Sequence, residues 1–148
     1  MGLGARLAEG VAARFGRDPW VVAGRLGVEA LEGPLVGRVR ELYFDDGEAP
    51  TVVLAEGLSR AEAREAVACG VGHHVLTEWA RRQGEPVPRA GGAHRAEVEE
   101  FAAFLLISTE MMRDALVTAP PSPEACGERW GVTGGLVRRR LGVREDGG

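Results

Sequence analysis

Apolar positions return at helical spacing through the first fifteen residues. Leu7, Val11, Ala12 and Phe15 share one face of a helix predicted over residues 4–15, and Gly16 ends it. Asp18 is placed to cap a second short helix, with Pro19 at the favoured first position, running to about Leu26 and stopped by Gly27. From Leu35 the period shortens. Val36, Val39, Leu42, Tyr43 and Phe44 predict an extended segment, followed by turn residues from Asp45 to Pro50 and a β-rich run from Thr51 to Ala55. These two segments read as an antiparallel hairpin or as neighbouring strands of a small sheet.

The helical period then returns. Ser59-Arg60-Ala61-Glu62 is a capping box, opening a long helix that reaches about Arg82. Gly84, Pro86 and Pro88 predict a loop extending to Gly92. A second long helix over residues 93–106 carries Val98, Phe101 and Leu105 on one face, and Ser108 caps a further helix from Thr109 to Val117. Pro120, Pro121 and Pro123 interrupt the chain. Ser122-Pro123-Glu124 starts a short helix, and Val132-Thr133 turns into another ending at Arg140-Leu141. This last pair repeats residues of the first pair: Arg14, Gly16, Val22, Arg25 and Leu26 return 115 positions later as Arg129, Gly131, Val137, Arg140 and Leu141. Common packing needs of helical hairpins, or a duplicated module, account for the echo. The pattern predicts one α+β domain over 1–148, mostly helical with a small antiparallel or mixed sheet. Its parts are a helical pair at 1–30, sheet and long helices at 35–118, and a second pair at 122–143.

Composition narrows the classes. A chain of 148 residues is long enough to bury a real core, and no run of about 18 apolar residues offers a membrane span. The N-terminus lacks the apolar core of a secretory signal, so a cytoplasmic location is expected. The net charge of −4 argues against a broad nucleic-acid surface, although all 18 basic residues are arginine. Cys69 and Cys126 lie in unlike contexts and suggest no disulfide framework. The tail from Arg144 to Gly148 is expected to fray.

The chemistry concentrates at Cys69-Gly70-Val71-Gly72-His73. On a helix, positions four apart share a face about 6 Å from each other, so Cys69 and His73 could bind one metal ion. Two protein ligands are too few. Glu97, Glu99, His74 and His94 are candidates for a third; His74 is turned about 100° from His73, and Glu97 is best placed if the two long helices pack antiparallel. A cysteine and a histidine four apart are also a common chance pattern in a partly buried helix. Gly70 and Gly72 each cost roughly 1 kcal/mol against alanine in a helix, which points to close approach of another segment.

The order of these elements resembles the ImmA/IrrE family of zinc metallopeptidase-like proteins, small zincin-like domains. The resemblance rests on Thr51 to Leu54, Ser59 and Arg64, on Glu97-Val98-Glu99-Glu100-Phe101-Ala102-Ala103-Phe104-Leu105-Leu106-Ile107-Ser108, and on Glu128 to Thr133 with Arg140-Leu141. It implies a zinc site at Cys69, His73 and Glu97. It also implies a degenerate His-Glu-x-x-His motif, with Cys69 in place of the first histidine and Gly70 in place of the general-base glutamate. Glu99 stands where the family often has asparagine. Losing the base removes a group typically worth about 10²–10⁴-fold in rate.

A catalytically degenerate, metallopeptidase-like protein is therefore expected. The resemblance implies a protein partner such as a helix-turn-helix repressor, in a phage, mobile-element or stress-response regulatory system. A second expectation is an active zinc peptidase with an unusual Cys69–His73–Glu97 site. A third is a DNA-binding regulator that uses Arg138, Arg139 and Arg140 on a recognition helix. The competing reading of those arginines is a solvated or ion-paired face.

Overall fold

A computed structural model describes residues 1–88, 92–118 and 122–142, apart from the side chain of Ala93. The expected fraying at Arg144–Gly148 and the breaks at Pro120 and Pro121 lie outside the described residues. Among the described residues, seven helices and three strands follow in the order α1 (Leu3–Phe15), α2 (Pro19–Arg25), β1 (Glu29–Gly33), β2 (Glu41–Asp45), β3 (Pro50–Ala55), α3 (Arg60–Arg82), α4 (Gly92–Leu106), α5 (Thr109–Thr118), α6 (Pro123–Trp130) and α7 (Gly134–Leu141). No helix is long and apolar enough to cross a membrane, among the described residues.

Local chemistry explains the helix starts. The Asp18 carboxylate accepts from the N–H groups of Trp20 and Val21, with Pro19 at the first position of α2. At α3 the capping box is complete: the Ser59 hydroxyl accepts from Glu62 N–H, and the Glu62 carboxylate accepts from Ser59 N–H. The Ser122 and Thr133 hydroxyls cap α6 and α7 by accepting from the N–H groups of Ala125 and Leu136, and Gly131 turns the chain between them at φ +69°.

The sheet is mixed, in the order β1-β3-β2. β3 runs parallel to β1 and antiparallel to β2. β1 is a strand that the sequence pattern did not announce. Glu29-Ala30-Leu31-Glu32-Gly33 has little β-branched or aromatic content, so tertiary pairing with β3 decides its conformation. The extended segment expected from Leu35 begins only at Glu41, because Gly37 at φ +73° takes part in a turn.

Val52 and Leu54 of β3 face α3 and are buried. The core lies between that sheet face, α3 and α4, filled by Val67, Val71, Phe101 and Leu105. α3 and α4 are antiparallel: His73 meets His94, while Gly72 lies against Phe101. α1 covers the far side of α4, and its small residues Gly4, Ala5 and Ala8 allow close approach. A Cβ on Gly4 would collide with the Glu97 carbonyl oxygen.

Both helical pairs are tied to the end of α4. The Arg17 guanidinium donates to the carbonyls of Phe104 and Leu105, at 2.7 and 3.2 Å. Arg140 donates to the Ile107 carbonyl at 3.0 Å and lies 3.8 Å from the centre of the Phe104 ring. Cations at a helix C-terminus satisfy its free carbonyls and its dipole. Arg138 pairs with Glu124 and Arg139 with Glu99, so all three arginines proposed for DNA recognition are engaged within the fold.

Candidate functional site

α3 carries Cys69 and His73 along the side that meets β2, α4 and α7, but the two side chains open into different spaces. Cys69 is buried and lines a cavity of about 500 Å³ together with Arg40, Glu65, Glu99 and Arg139. His73 lines a neighbouring cavity of about 410 Å³ with Tyr43, Thr77, His94 and Arg95. Burial pushes the Cys69 thiol up to about 12, with help from the nearby Glu41 carboxylate, so at neutral pH it keeps its proton.

A line of alternating charge runs past both cavities. The buried Glu65 carboxylate is 3.2 Å from Arg40, and Arg40 lies 4.0 Å from Glu41. Glu41, also buried, is 2.7 Å from the Arg95 guanidinium, and Arg95 in turn is 3.2 Å from Glu99. Arg139 of α7 closes the line on Glu99. Three carboxylates and three guanidiniums thus satisfy one another at the place where the sequence suggested a metal. Glu65 also accepts from Thr133 N–H at 2.7 Å, which fixes the start of α7 to α3.

Glu97 does not join this group. Its carboxylate accepts from Gly4 N–H, on the opposite side of α4. Helical period explains the placement. Arg95 and Glu99 are four apart and share the face turned toward Glu41 and Cys69, and position 97 is about 200° from each. Antiparallel packing of α3 and α4 is as the Glu97 assignment required, but the register directs Arg95 inward instead. A zinc ion needs three or four donors at about 2.0–2.3 Å. The donor set offered by Cys69, His73 and Glu97 does not fit one, with an arginine cation beside the two α3 residues. Among the described residues, no three His, Cys, Asp or Glu side chains are grouped to hold a metal.

The position of the general base is also filled. Gly70 lies in the buried part of α3, and a Cβ placed there would lie 2.6 Å from Val52 Cγ1. The same holds at Gly72 against the Phe101 ring, where the nearest ring carbon would be 2.9 Å away. Close approach of β3 and α4 therefore accounts for two glycines within one turn of helix.

His73 and His94 line the second cavity, and His74 is tied to it through Tyr43. His73 Nδ1 and His94 Nε2 are 2.9 Å apart, so one ring must donate and the other accept. His74 Nδ1 shares a 2.9 Å hydrogen bond with the Tyr43 hydroxyl. Burial pushes His73 down to about 4, reinforced by His94 and Arg95, and burial also lowers His74 and His94. Unfolding restores their ordinary affinity for protons. Stability that is complete above about pH 6.5 is thus lost as the pH falls toward 4. Thermal melts from pH 7 to pH 5 are expected to show a falling Tm, with a shallower fall in His73→Gln; equal slopes would contradict this origin.

Sequence reasoning missed Glu41, Arg40 and Arg95. One signal for Arg95 was available, since Arg95 and Glu99 stand at the four-residue spacing of a helical ion pair.

A mixed sheet against two long antiparallel helices, the first carrying Cys69-Gly70-Val71-Gly72-His73, defines a small α+β domain of zincin-like, metallopeptidase-like type. The model of the IrrE N-terminal-like domain matches residues 23–142, and the chain belongs to this ImmA/IrrE family. α1 precedes the matched region. No curated protein matches the sequence.

Proposed function

We propose that this chain is a non-hydrolytic member of its family that acts by binding a protein partner. The partner class expected from the family resemblance is a helix-turn-helix transcriptional repressor, in a phage, mobile-element or stress-response system. The observation that carries the reading is the filled site: the charge line from Glu65 to Arg139 occupies the motif face, and Val52 packs where the side chain of a base at position 70 would stand. Gly70 has no side chain to take a proton from an attacking water, and Glu65 and Glu99 beside Cys69 are already engaged by arginines. The cavities beside Cys69 and His73 remain open to a polypeptide, and their walls contain both apolar and charged groups.

Two measurements test the reading. Protein incubated with excess zinc and then dialysed is expected to retain far less than one zinc per chain; stoichiometric zinc that disappears in Cys69→Ala would support the active-peptidase reading instead. Candidate helix-turn-helix repressors of the same host, mixed with the protein and zinc, are expected to form a complex and stay intact. Cleavage of any of them overturns the non-hydrolytic part, and failure of all to bind overturns the partner.

A further inference from the structure

The sheet has two unlike faces. Val52 and Leu54 point to α3, and so do Glu41 and Tyr43 of β2, whose partners are Arg95 and His74. The alternate residues point outward. Val53 is the register partner of both Leu31 and Leu42, so these three form one apolar row across all three strands. Phe44, two residues along β2 from Leu42, extends it. Leu31 is 50% exposed, Leu42 51% and Phe44 43%, and the connection between β1 and β2 adds the exposed Val36 and Val39.

The surroundings of this row are acidic. Glu29, Asp46, Glu48 and Glu56 are exposed on or just beyond the strands, against the exposed Arg38, whereas Asp45 turns to Arg81 of α3 and Glu32 is level with the inward Leu54. Arg40 and Glu41 are turned inward and compensate each other's charge. Four acidic residues against one arginine leave the outward part of residues 29–56 with a net charge of −3.

We propose that the outward face of the sheet is a docking surface for one basic amphipathic helix of a protein partner. Apolar groups in register across strands are the usual way in which a sheet takes a covering helix. Three strands spaced about 4.8 Å apart present a strip about 10 Å wide between the outer two, which is the diameter of a single helix. The charge selects among occupants. A second copy laid face to face would oppose two acidic rims, and nucleic acid or an anionic membrane would be repelled by the same field. A helix with an apolar stripe flanked by arginine or lysine satisfies both the row and the rim. The row lies on the side of the sheet away from Cys69, while at the β2 edge Leu42 and Phe44 also border the His73 cavity, so Leu31→Asp on β1 is the variant that tests this surface apart from that cavity.

A synthetic 18-residue helix with a leucine stripe flanked by arginines, titrated into the full-length protein and followed by amide chemical shifts, tests the proposal. A peptide of the same composition in scrambled order is the control. The helical peptide is expected to bind at least tenfold more tightly than the control, with shifts confined to residues 29–56. Leu42→Asp, and separately Leu31→Asp, is expected to weaken binding tenfold or more. Both positions are half exposed, and an unchanged spectrum elsewhere verifies each fold. Equal binding of the scrambled peptide, or binding indifferent to both substitutions, overturns the proposal. A dimer in sedimentation that Leu42→Asp converts to monomer also overturns it, in favour of a second copy.

Discussion

Arg95→Ala is expected to lower the unfolding free energy by about 3 kcal/mol, the low end for breaking one partner of a buried ion pair. Glu41, 8% exposed, loses its 2.7 Å partner and is left with Arg40 at 4.0 Å. That residual contact keeps the loss from being larger. Arg95 itself is partly exposed, so most of the cost is the stranded Glu41 charge rather than the loss of attraction at the surface. Glu41→Gln in the same chain removes that charge and is expected to restore part of the stability. Denaturant melts of the two single variants and the double variant give the coupling. Additive losses, with no coupling beyond about 0.5 kcal/mol, would mean that the two residues do not depend on each other.

Gly70→Glu, the substitution that rewrites the motif toward His-Glu-x-x-His, is expected to destabilise the protein by about 3 kcal/mol or more and to produce no peptidase activity. Helix propensity favours replacing glycine, by somewhat under 1 kcal/mol. Overpacking opposes it by about 1–3 kcal/mol, and an unpaired carboxylate in the same place adds to the cost. Packing therefore outweighs propensity, because the added carbon meets Val52, whose own position is fixed by β3 in the middle of the sheet. Val52→Ala in the Gly70→Glu background makes room and is expected to recover part of the loss. A stable single variant that cleaves a repressor would show that the site needs only its base.

Much of this architecture was legible because local chemistry and long-range packing agree. The capping box at Ser59 and Glu62, the Asp18-Pro19 start and the serine and threonine caps of the last pair put the helices where the structure has them. The sheet was only half legible. β1 has the composition of a helix and becomes a strand through its pairing with β3. β2 lies within the extended segment expected from Leu35, yet its more apolar residues Leu42 and Phe44 face outward while Glu41 faces the interior. A rule that puts the apolar side inward inverts that strand. The same limit affected the site. Cys69 and His73 are fixed by spacing on one helix, whereas the facing residue depends on the register of α4, and a shift of two positions separates Glu97 from Arg95 or Glu99. Sequence spacing within a helix says which residues share a side and leaves open which side the neighbour sees.

The contact between α1 and α4 has a consequence for what counts as the folding unit. Gly2 and Gly4 are bound to Glu100 and Glu97 across 98 and 93 residues of chain, and their backbones approach too closely to admit even a methyl group at Gly4. A loop that long adds little entropy cost beyond that of a shorter one, but contacts so remote in sequence form slowly and report on the whole chain being in place. The first helix thus closes over α4 and joins the two ends of the described fold. Releasing it would bare the α4 side opposite the charge line, although α1 lies before the region that the family model matches.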